Sequence, residues 1–470
     1  MNLALTTGHI VGIVITLLII TAMGIYAGSM VKSPEDFATG GRRAGAAVVA
    51  GTIMGTLVGG SSTIGTAQLA FKFGFCAWWF TLGAGIACAV LAIGLARQLY
   101  ESNLETMPQY LVGVYGDGIG PLSSIFSSVG IFLNIVAQGL SAVALLTAMF
   151  HMNPILAALI GVFLVLTYVF FGGVWGAGLV GVVKLVFLYM ATIVCGILAY
   201  KMVGGSAGLT AHFPAYPWFS LFGRGFSMDF AAGFSLLVGV LSTQTYIQAI
   251  FSAKSLAKAR TGALISAFLI PPVGVGGILV GLFMQANFPN TPSDQVLPVF
   301  IMNYLPPFLA GVVLATLLVA VIGTWAGLTL GVSTMLTKDI YKRFVRVQAD
   351  DREVLKIQRI LILAVSLLAI FFVSGSLSSL IMSWSFLSMG LRGCTILFPL
   401  LGAAFFPRYV TPLAGTVAAL AGPLVDLIWH FAFPKGLDPL YPGLLASFLA
   451  ILLISIVSKR KKVEPVSHTT

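Results

Sequence analysis

Residues Gly51–Gly74 read "GTIMGTLVGGSSTIGTAQLAFKFG", an apolar run interrupted near its centre by glycines and by Ser61, Ser62 and Thr63. In a bilayer, backbone that leaves the helix must be buried in protein or line a watery cavity. The stretch therefore indicates a membrane helix that unwinds at its middle, next to a binding site. Small residues also let membrane helices pack closely, and this alternative stays open from the stretch alone.

The composition of the whole chain also indicates a membrane protein. Of its 470 residues, 58% are hydrophobic and 8% are charged, and the mean hydropathy is +1.02. Apolar runs of about twenty residues, long enough to cross a bilayer as a helix, recur along it. We predict an all-α polytopic membrane protein with about 13 transmembrane helices, at residues 9–29, 46–70, 77–98, 119–150, 153–171, 178–200, 229–251, 260–285, 306–335, 356–374, 377–404, 410–431 and 440–458.

A net charge of +11 would suggest a nucleic-acid partner in a soluble protein, but here the positive residues follow the membrane pattern. With the N-terminus outside, 18 of the 25 lysines and arginines fall on the inner side and 4 on the outer side. The inner set is Lys32, Arg42, Arg43, Arg97, Lys254, Lys258, Arg260, Lys338, Lys342, Arg343, Arg346, Arg352, Lys356, Arg408 and residues 459–462; the outer set is Lys72, Lys201, Arg224 and Lys435. We predict a multi-pass protein of the cell inner (plasma) membrane, with its N-terminus outside, its C-terminus cytoplasmic and no nucleic-acid partner.

The chain carries no sign of enzyme chemistry. Its four cysteines, Cys76, Cys88, Cys195 and Cys394, lie in or beside apolar helices without paired spacing, so they indicate neither a disulfide framework nor a zinc site. The sequence shows no phosphate loop and no Ser/His pair. We predict no enzymatic activity and no organic cofactor.

A second interrupted helix follows five helices after the first. Residues Gly233–Lys254 read "GFSLLVGVLSTQTYIQAIFSAK", with Ser242, Thr243, Gln244 and Thr245 in mid-membrane. That spacing predicts an inverted pair of five-helix repeats with a binding site at the membrane midplane. The predicted organisation is an extra N-terminal helix and loop at 1–45, repeats at 46–205 and 206–405, two C-terminal helices at 406–458 and a basic tail at 459–470.

Six stretches together resemble the sodium/solute symporter family, over residues 32–410 and in that family's order. They are "GGSSTIGTAQLAFKFG" (59–74), "YVFFGGVWG" (168–176), "IQAIFSAKSLAKARTG" (247–262), "VLPVF" (296–300), "STMLTKDIYKRF" (333–344) and "FPLLGAAFFPR" (398–408). The resemblance implies the LeuT-type inverted-repeat fold, with one extra helix before a ten-helix core.

The resemblance also implies a sodium site between the first and eighth core helices. In the family, backbone carbonyls at the helix break and small hydroxyl residues hold the ion, and hard oxygen ligands suit a hard cation. These positions correspond here to Gly55 and Val58, and to Ala320, Gly323 and Thr324. A serine or similar residue is usual where Gly323 stands, so one side-chain oxygen is missing.

The fifth and sixth core helices depart further from the family pattern. An aspartate is common where Gly181 stands, a glutamine where Lys184 stands, and an arginine where Ala249 stands. An acidic group near the sodium is therefore gone, and a cation has appeared one helical turn away. The resemblance implies sodium as the coupling cation, and the departures make a proton the alternative.

Lys184 is the one charged residue in the apolar run Gly178–Gly196, about 9 Å from the inner end of its helix at 1.5 Å per residue. Three interpretations stay open. The side chain could snorkel to cytoplasmic water, or it could bind the solute directly. Its ammonium could also replace the sodium ion, pointing three donors at the carbonyls of the broken helix and exchanging a proton during transport.

Arg392 lies near the middle of the tenth core helix, where snorkelling is harder. Asp229 and Asp426 are distant candidates for its partner. Arg392 could hydrogen-bond to helix-end carbonyls or line a vestibule, or its planar fork could bind the carboxylate of a solute. The further predicted solute ligands are Ser61, Ser62, Thr63, Asn134, Gln138 and Gln244.

Three aromatic residues, Trp78, Trp79 and Phe80, follow the first broken helix. They suit an outer gate, and an interfacial aromatic belt is the alternative.

These patterns predict a secondary transporter that imports a small polar solute, a carboxylate or an amino acid, by alternating access. Its predicted partners are the solute, a coupling cation and the lipid bilayer. One alternative is the same fold with a lost sodium site, coupled to protons or independent of sodium through Lys184. Another, from a different class, is a sensor or channel-like protein that does not transport.

Overall fold

The computed structural model describes residues 5–28, 42–433 and 436–458; the side chains at 23–24, 27–28 and 168–180 are outside this description. The described residues form helices, with one isolated β-bridge between Ala44 and Ala253. The α-helices are α1 (Thr7–Gly28), α2 (Ala46–Leu57), α3 (Thr66–Phe73), α4 (Trp79–Val90), α5 (Ala96–Glu101), α6 (Met107–Tyr115), α7 (Ile119–Phe150), α8 (Pro154–Met202), α9 (Gly205–His212), α10 (Ala215–Trp218), α11 (Phe226–Leu241), α12 (Gln244–Phe251), α13 (Leu256–Asn287), α14 (Val296–Tyr304), α15 (Pro307–Met335), α16 (Asp351–Gly375), α17 (Ile381–Phe405), α18 (Pro412–Ala432) and α19 (Leu440–Val457).

Within the described ranges, nine helices are long and apolar enough to cross a membrane, or ten if the bent pair α11 and α12 is one span. Shorter apolar helices lie at Thr7–Ala22, Ala46–Leu57 and Pro154–Thr167. The predicted all-α membrane fold is confirmed. The helix number of 13 and the repeat boundaries stay predictions.

The predicted helices at 153–171 and 178–200 lie within one helical stretch, α8. The apolar segments toward its two ends are Pro154–Thr167 and Gly181–Met202, and the second is long enough to cross a membrane by itself. A straight helix of 49 residues would be about 74 Å long, more than twice the hydrocarbon thickness of a bilayer. The division of this stretch into two spans therefore stays a prediction.

The first interrupted helix breaks where the glycines predict. Helix α2 ends at Leu57, and Val58 adopts an extended conformation (φ −91°, ψ 93°). A π-helical turn at Ser61–Gly65 then leads into α3. The break frees backbone carbonyls of α2 inside the bundle.

The second interrupted helix breaks at Ser242 and Thr243, between α11 and α12, with a bend of 42°. The two broken helices also meet through the β-bridge. The Ala44 N–H donates to the Ser252 carbonyl (3.0 Å), and the Lys254 N–H donates to the Ala44 carbonyl (2.9 Å). The start of α2 is thus attached to the end of α12.

Helix α8 approaches α2 closely at Gly181. A Cβ atom built on Gly181 would lie 2.3 Å from the Gly51 carbonyl oxygen, so only glycine fits without moving backbone. The aspartate that is common at this position in the family would not fit here. This contact brings Lys184, one turn further along α8, against the broken end of α2.

Candidate functional site

Lys184 lies inside the bundle at the first helix break. Its side chain is 1% exposed. Its Nζ donates to the carbonyl oxygens of Gly55 (2.7 Å) and Ala320 (3.1 Å) and to Oγ1 of Thr324 (3.3 Å). An ammonium has three N–H donors, so each of them has an oxygen partner. The interpretation in which Lys184 snorkels to cytoplasmic water is therefore wrong.

Thr324 connects the lysine to the free end of α2. Its Oγ1 lies 3.2 Å from the Gly55 carbonyl oxygen and 3.3 Å from that of Val58. The hydroxyl can donate to one of these while it accepts from Lys184. Gly323, its neighbour on α15, has no side chain and adds no oxygen.

The ammonium therefore takes its ligands from the oxygens that the family resemblance assigns to sodium. No carboxylate pairs with Lys184 among the residues that the structure describes, and its charge is balanced by carbonyl and hydroxyl dipoles. A second cation among the same oxygens would stand only a few ångströms from this charge and be repelled. While Lys184 is protonated, these residues do not fit a sodium ion.

A cluster of polar side chains lies beside this position and joins the first break to α7 and α17. The Gln138 Oε1 accepts from the Gly60 N–H (2.8 Å), and its Nε2 donates to Ser61 Oγ (3.2 Å) and Asn134 Oδ1 (3.0 Å). The hydroxyls of Ser61 and Ser385 are 2.6 Å apart, and Ser385 donates to Asn134 Oδ1 (3.3 Å). All of these side chains are buried. The structure thus brings together three of the predicted solute ligands, Ser61, Asn134 and Gln138.

The hydroxyls of Ser62 and Thr63 bind differently, since both donate back to the Gly59 carbonyl oxygen within their own turn. They satisfy the backbone of the break. Ser385 is a residue that the sequence reasoning missed. A usable signal was its spacing, because Ser385, Ser388 and Arg392 are three and four residues apart and so share one helix face.

Arg392 is fully buried and bridges α17 to the second helix break. Its Nη1 donates to Thr243 Oγ1 (2.7 Å), Nε to the Ser388 carbonyl (2.9 Å), and Nη2 to Ser388 Oγ (2.8 Å) and Met389 Sδ (3.1 Å). A guanidinium has five N–H donors, and these contacts use four of them. Within the described ranges, no carboxylate forms an ion pair with it.

The two acidic residues considered as partners of Arg392 have other contacts. Asp229 forms an ion pair with Arg224 (2.6 Å), and Asp426 lies 3.9 Å from Cys394 Sγ. Next to Thr243, the buried hydroxyls of Ser242 and Thr245 have no hydrogen-bond partner in the described part of the chain. Buried polar atoms without partners are uncommon, so this break has unused hydrogen-bonding capacity.

Gln244 does not belong to the polar cluster. Its Oε1 accepts from the Met107 N–H (2.8 Å), and its Nε2 donates to the Glu105 carbonyl (2.9 Å). These bonds attach α12 to the loop before α6. The start of α12 turns this side chain toward that loop, and the solute-binding role of Gln244 stays a prediction.

The predicted gate residues are held by two different kinds of contact. The indole N–H groups of Trp78 and Trp79 donate to the carbonyls of Pro271 (3.0 Å) and Leu221 (2.7 Å). Phe80 is buried against Phe386 of α17, with ring centroids 5.9 Å apart. The guanidinium of Arg224 lies over the other ring of that pair, 5.9 Å from the Phe386 centroid. The gate role of these three residues stays a prediction.

The opposite end of the bundle is closed by polar contacts that the sequence did not predict. Asp339, in the π-helical segment Leu336–Val345 after α15, accepts from Thr106 Oγ1 (3.0 Å) and Ser124 Oγ (3.3 Å). Lys338 forms an ion pair with Glu105. Helices α7 and α15 are thereby joined to the loop that Gln244 also holds.

Comparisons with known proteins show the family to which the chain belongs. The model of the sodium:solute symporter family matches residues 37–421. A sodium/proline symporter of Haemophilus influenzae is 24% identical, over 93% of this chain and 92% of its own. A high-affinity choline transporter 1 of Caenorhabditis elegans is 26% identical, over 96% of this chain and 85% of its own.

Among solved structures, a Na⁺-coupled sialic acid symporter superposes with a TM-score of 0.81 at 15% identity, over 97% of this chain and 99% of that one. At that identity the likeness shows the fold alone. Since the family model spans most of the chain, the protein belongs to the sodium:solute symporter family.

Proposed function

We propose that this symporter imports a small solute that carries a carboxylate, and that its coupling cation is a proton on Lys184. The observation that carries the proposal is the position of the Lys184 ammonium, 2.7 Å from the Gly55 carbonyl, at the family's cation site. Family membership makes the protein a cation-coupled symporter of a small solute. The proposal concerns which cation and which solute, and it keeps the predicted orientation with the N-terminus outside.

The proton has a mechanical role in this proposal. Protonated Lys184 holds three helices together, because it extends from α8 to Gly55 of α2 and to Ala320 and Thr324 of α15. Hydrogen bonds from a charged donor are stronger than those from a neutral one, so loss of the proton weakens this junction. A proton bound from outside and released inside then lets α2 separate from α15 once per cycle. Ionisable residues inside membranes commonly serve as proton relays.

The solute proposal rests on Arg392 and the polar cluster. An arginine buried without a carboxylate partner in the described residues is costly. A bidentate carboxylate would fit the guanidinium if it replaced the bonds to Thr243 and Met389, which are exchangeable contacts with neutral groups. The unsatisfied hydroxyl of Ser242 and the amides of Asn134 and Gln138 supply further donors and acceptors for a small polar molecule.

The solutes in the names of the relatives support a carboxylate. Proline and sialic acid, named for two of the similar symporters, are carboxylic acids. Choline, named for another relative, is a cation without a carboxylate. Beside Arg392 such a cation would be repelled, so we expect an amino acid or a monocarboxylate.

Uptake into proteoliposomes tests both parts of the proposal. Purified protein is reconstituted, and uptake of labelled proline, lactate and choline is measured under an inward proton gradient, an inward sodium gradient, or neither. We expect saturable, proton-driven uptake of a carboxylate, with no stimulation by sodium. Uptake driven only by sodium would refute the role of Lys184, uptake of choline alone would refute the role of Arg392, and single-channel currents would indicate a channel.

The polar cluster gives a separate prediction for Ser385→Ala. The change removes the hydroxyl that joins Ser61 to Asn134, and the loss of about 1–2 kcal/mol of hydrogen bonding corresponds to a KM roughly 5- to 30-fold higher. The measurement is KM in the same uptake assay. The control is Ser366→Ala on α16, whose buried hydroxyl has no partner in the described chain and whose loss should leave KM unchanged. An equal KM in both variants would remove Ser385 from the solute site.

A further inference from the structure

The Lys184 junction and the polar cluster meet at one residue of the first helix break, Gly59. A Cβ atom built on Gly59 would lie 2.5 Å from Oγ1 of Thr324 and 2.7 Å from Oε1 of Gln138. Thr324 is the hydroxyl residue that accepts from Lys184, and Gln138 is the central amide of the polar cluster. The backbone of Gly59 alone therefore separates the two sites.

The residues on either side of Gly59 are held by the same two side chains. The Val58 carbonyl oxygen lies 3.3 Å from Thr324 Oγ1, and the Gly60 N–H donates to Gln138 Oε1 (2.8 Å). Both side chains are buried. Since Thr324 belongs to α15 and Gln138 to α7, the break connects these two helices. A movement of the break on one side displaces the other, because no flexible side chain lies between them to absorb it.

We infer that Gly59 is the positioning residue through which the coupling cation and the solute influence each other. The inference rests on the proposed function, in which the cation is a proton on Lys184. The ammonium of Lys184 fixes the hydroxyl of Thr324, this hydroxyl fixes the break, and the break holds Gln138 in the cluster that binds the solute. Coupling between two sites is reciprocal, so the solute binds more tightly when Lys184 is protonated.

The charged and titratable groups around this connection decide what pH can change. Lys184 contacts carbonyl and hydroxyl oxygens, and within the described ranges no charged group of α1, α2, α7, α13, α15 or α16 faces it. Near the polar cluster, Arg392 of α17 lies beside Tyr246 of α12. An arginine stays protonated in proteins, and an ordinary tyrosine has a pKa of about 10. Lys184 is therefore the group that changes charge between pH 6 and pH 9 in the proposed function.

The test measures equilibrium binding of labelled proline and of labelled lactate to detergent-purified full-length protein at pH 6 and pH 9. Coupling between sites commonly changes affinity about 5- to 150-fold, so we expect the native Kd to be at least about fivefold higher at pH 9. Thr324→Val keeps the shape of the side chain and removes its oxygen, so it should show the weaker Kd at both pH values. The matched control is Thr316→Val on the same helix, whose buried hydroxyl donates to the Val312 carbonyl of its own helix (2.7 Å) and whose loss should leave the pH dependence native.

Gly59→Ala tests the connection from the other direction. Its methyl group would stand closer to Thr324 and Gln138 than the van der Waals separation of about 3.5 Å allows, so one of the two side chains must move away. We expect weaker binding of the probe at both pH values, as in Thr324→Val. The control is Gly94→Ala, where an added Cβ would meet no atom within 4 Å and the native pH dependence should remain.

A second measurement keeps the test decisive if Gly59→Ala does not fold, and it needs no solute. The Tm is recorded for Thr324→Val, for Gln138→Met and for the double variant. Substitutions that break one shared connection are not additive, so the double variant should lose clearly less Tm than the two single losses together. Additive losses would overturn the inference.

The outcomes separate this inference from the proposed function. A native pH dependence that persists in full in Thr324→Val, or in a folded Gly59→Ala, would overturn the inference alone. A pH dependence that persists in Lys184→Gln would refute the proton role of the lysine. Binding of neither probe to the native protein would refute the carboxylate solute, while the Tm comparison would still decide whether Thr324 and Gln138 are connected.

Discussion

Lys184→Ala is expected to give the protein a sodium-dependent stability that the native chain lacks. Removal of the side chain takes away the ammonium and leaves the carbonyl oxygens of Gly55, Val58 and Ala320 facing Thr324 Oγ1. These are the hard oxygen ligands that a small cation prefers. An ion that binds only the folded state stabilises it by about 2.7 kcal/mol when its concentration is 100 times Kd.

The measurement is Tm of detergent-purified protein in sodium chloride and in potassium chloride at equal ionic strength. We expect a sodium-specific rise in Lys184→Ala and equal Tm values in the two salts for the native protein. Lys201→Ala is the matched control, because Lys201 lies at the exposed end of the same helix and should behave like the native residue. The double variant Lys184→Ala/Thr324→Ala lacks the side-chain oxygen and should lose the sodium effect.

Two results would contradict this account. A sodium-specific rise in the native protein as large as that in Lys184→Ala would mean that the lysine does not exclude the ion. The absence of a rise in Lys184→Ala would mean that the remaining oxygens do not form a cation site. Proton-driven uptake that survives in Lys184→Ala would independently refute the proton role.

The sequence predicted the all-α membrane fold because that fold depends on local patterns. The position of the cation site was implied by the family resemblance and stays a prediction. Apolar length, charge asymmetry and two glycine- and hydroxyl-rich interruptions are visible along the chain. Lys184 was visible as an isolated cation in an apolar helix. Its burial could not be predicted from its depth alone, since it follows from the contact of Gly181 with Gly51 and from the position of α15.

What the sequence could not predict is side-chain direction. Gln244 lies at the second helix break, and the structure directs it to the backbone of Glu105 and Met107. Ser385 was missed because a serine in an apolar helix is commonly a packing residue. The approach of α17 to Ser61 and Asn134 gives it polar partners, and that approach is tertiary.

Arg392→Gln is expected to abolish most carboxylate uptake while leaving the protein folded. The truncation of one partner of a buried charged pair costs about 2–5 kcal/mol, which corresponds to a KM at least about thirtyfold higher for a carboxylate solute. The glutamine amide can still donate to Thr243 or Ser388, which Arg392 contacts now. Removal of a buried cation without an ionic partner in the described residues should leave Tm unchanged or raise it.

The measurements are KM and Tm for Arg392→Gln, for Arg392→Lys, and for the control Arg408→Gln in an exposed loop. Lysine keeps the charge but loses the planar fork, so we expect an intermediate KM. Native KM in Arg392→Gln would show that the carboxylate does not bind there. A lowered Tm together with a native KM would show that the arginine serves the fold through Thr243 and Ser388. A raised KM with an unchanged or raised Tm indicates that Arg392 binds the solute. If the arginine served only the structure, its loss would lower Tm before it raised KM.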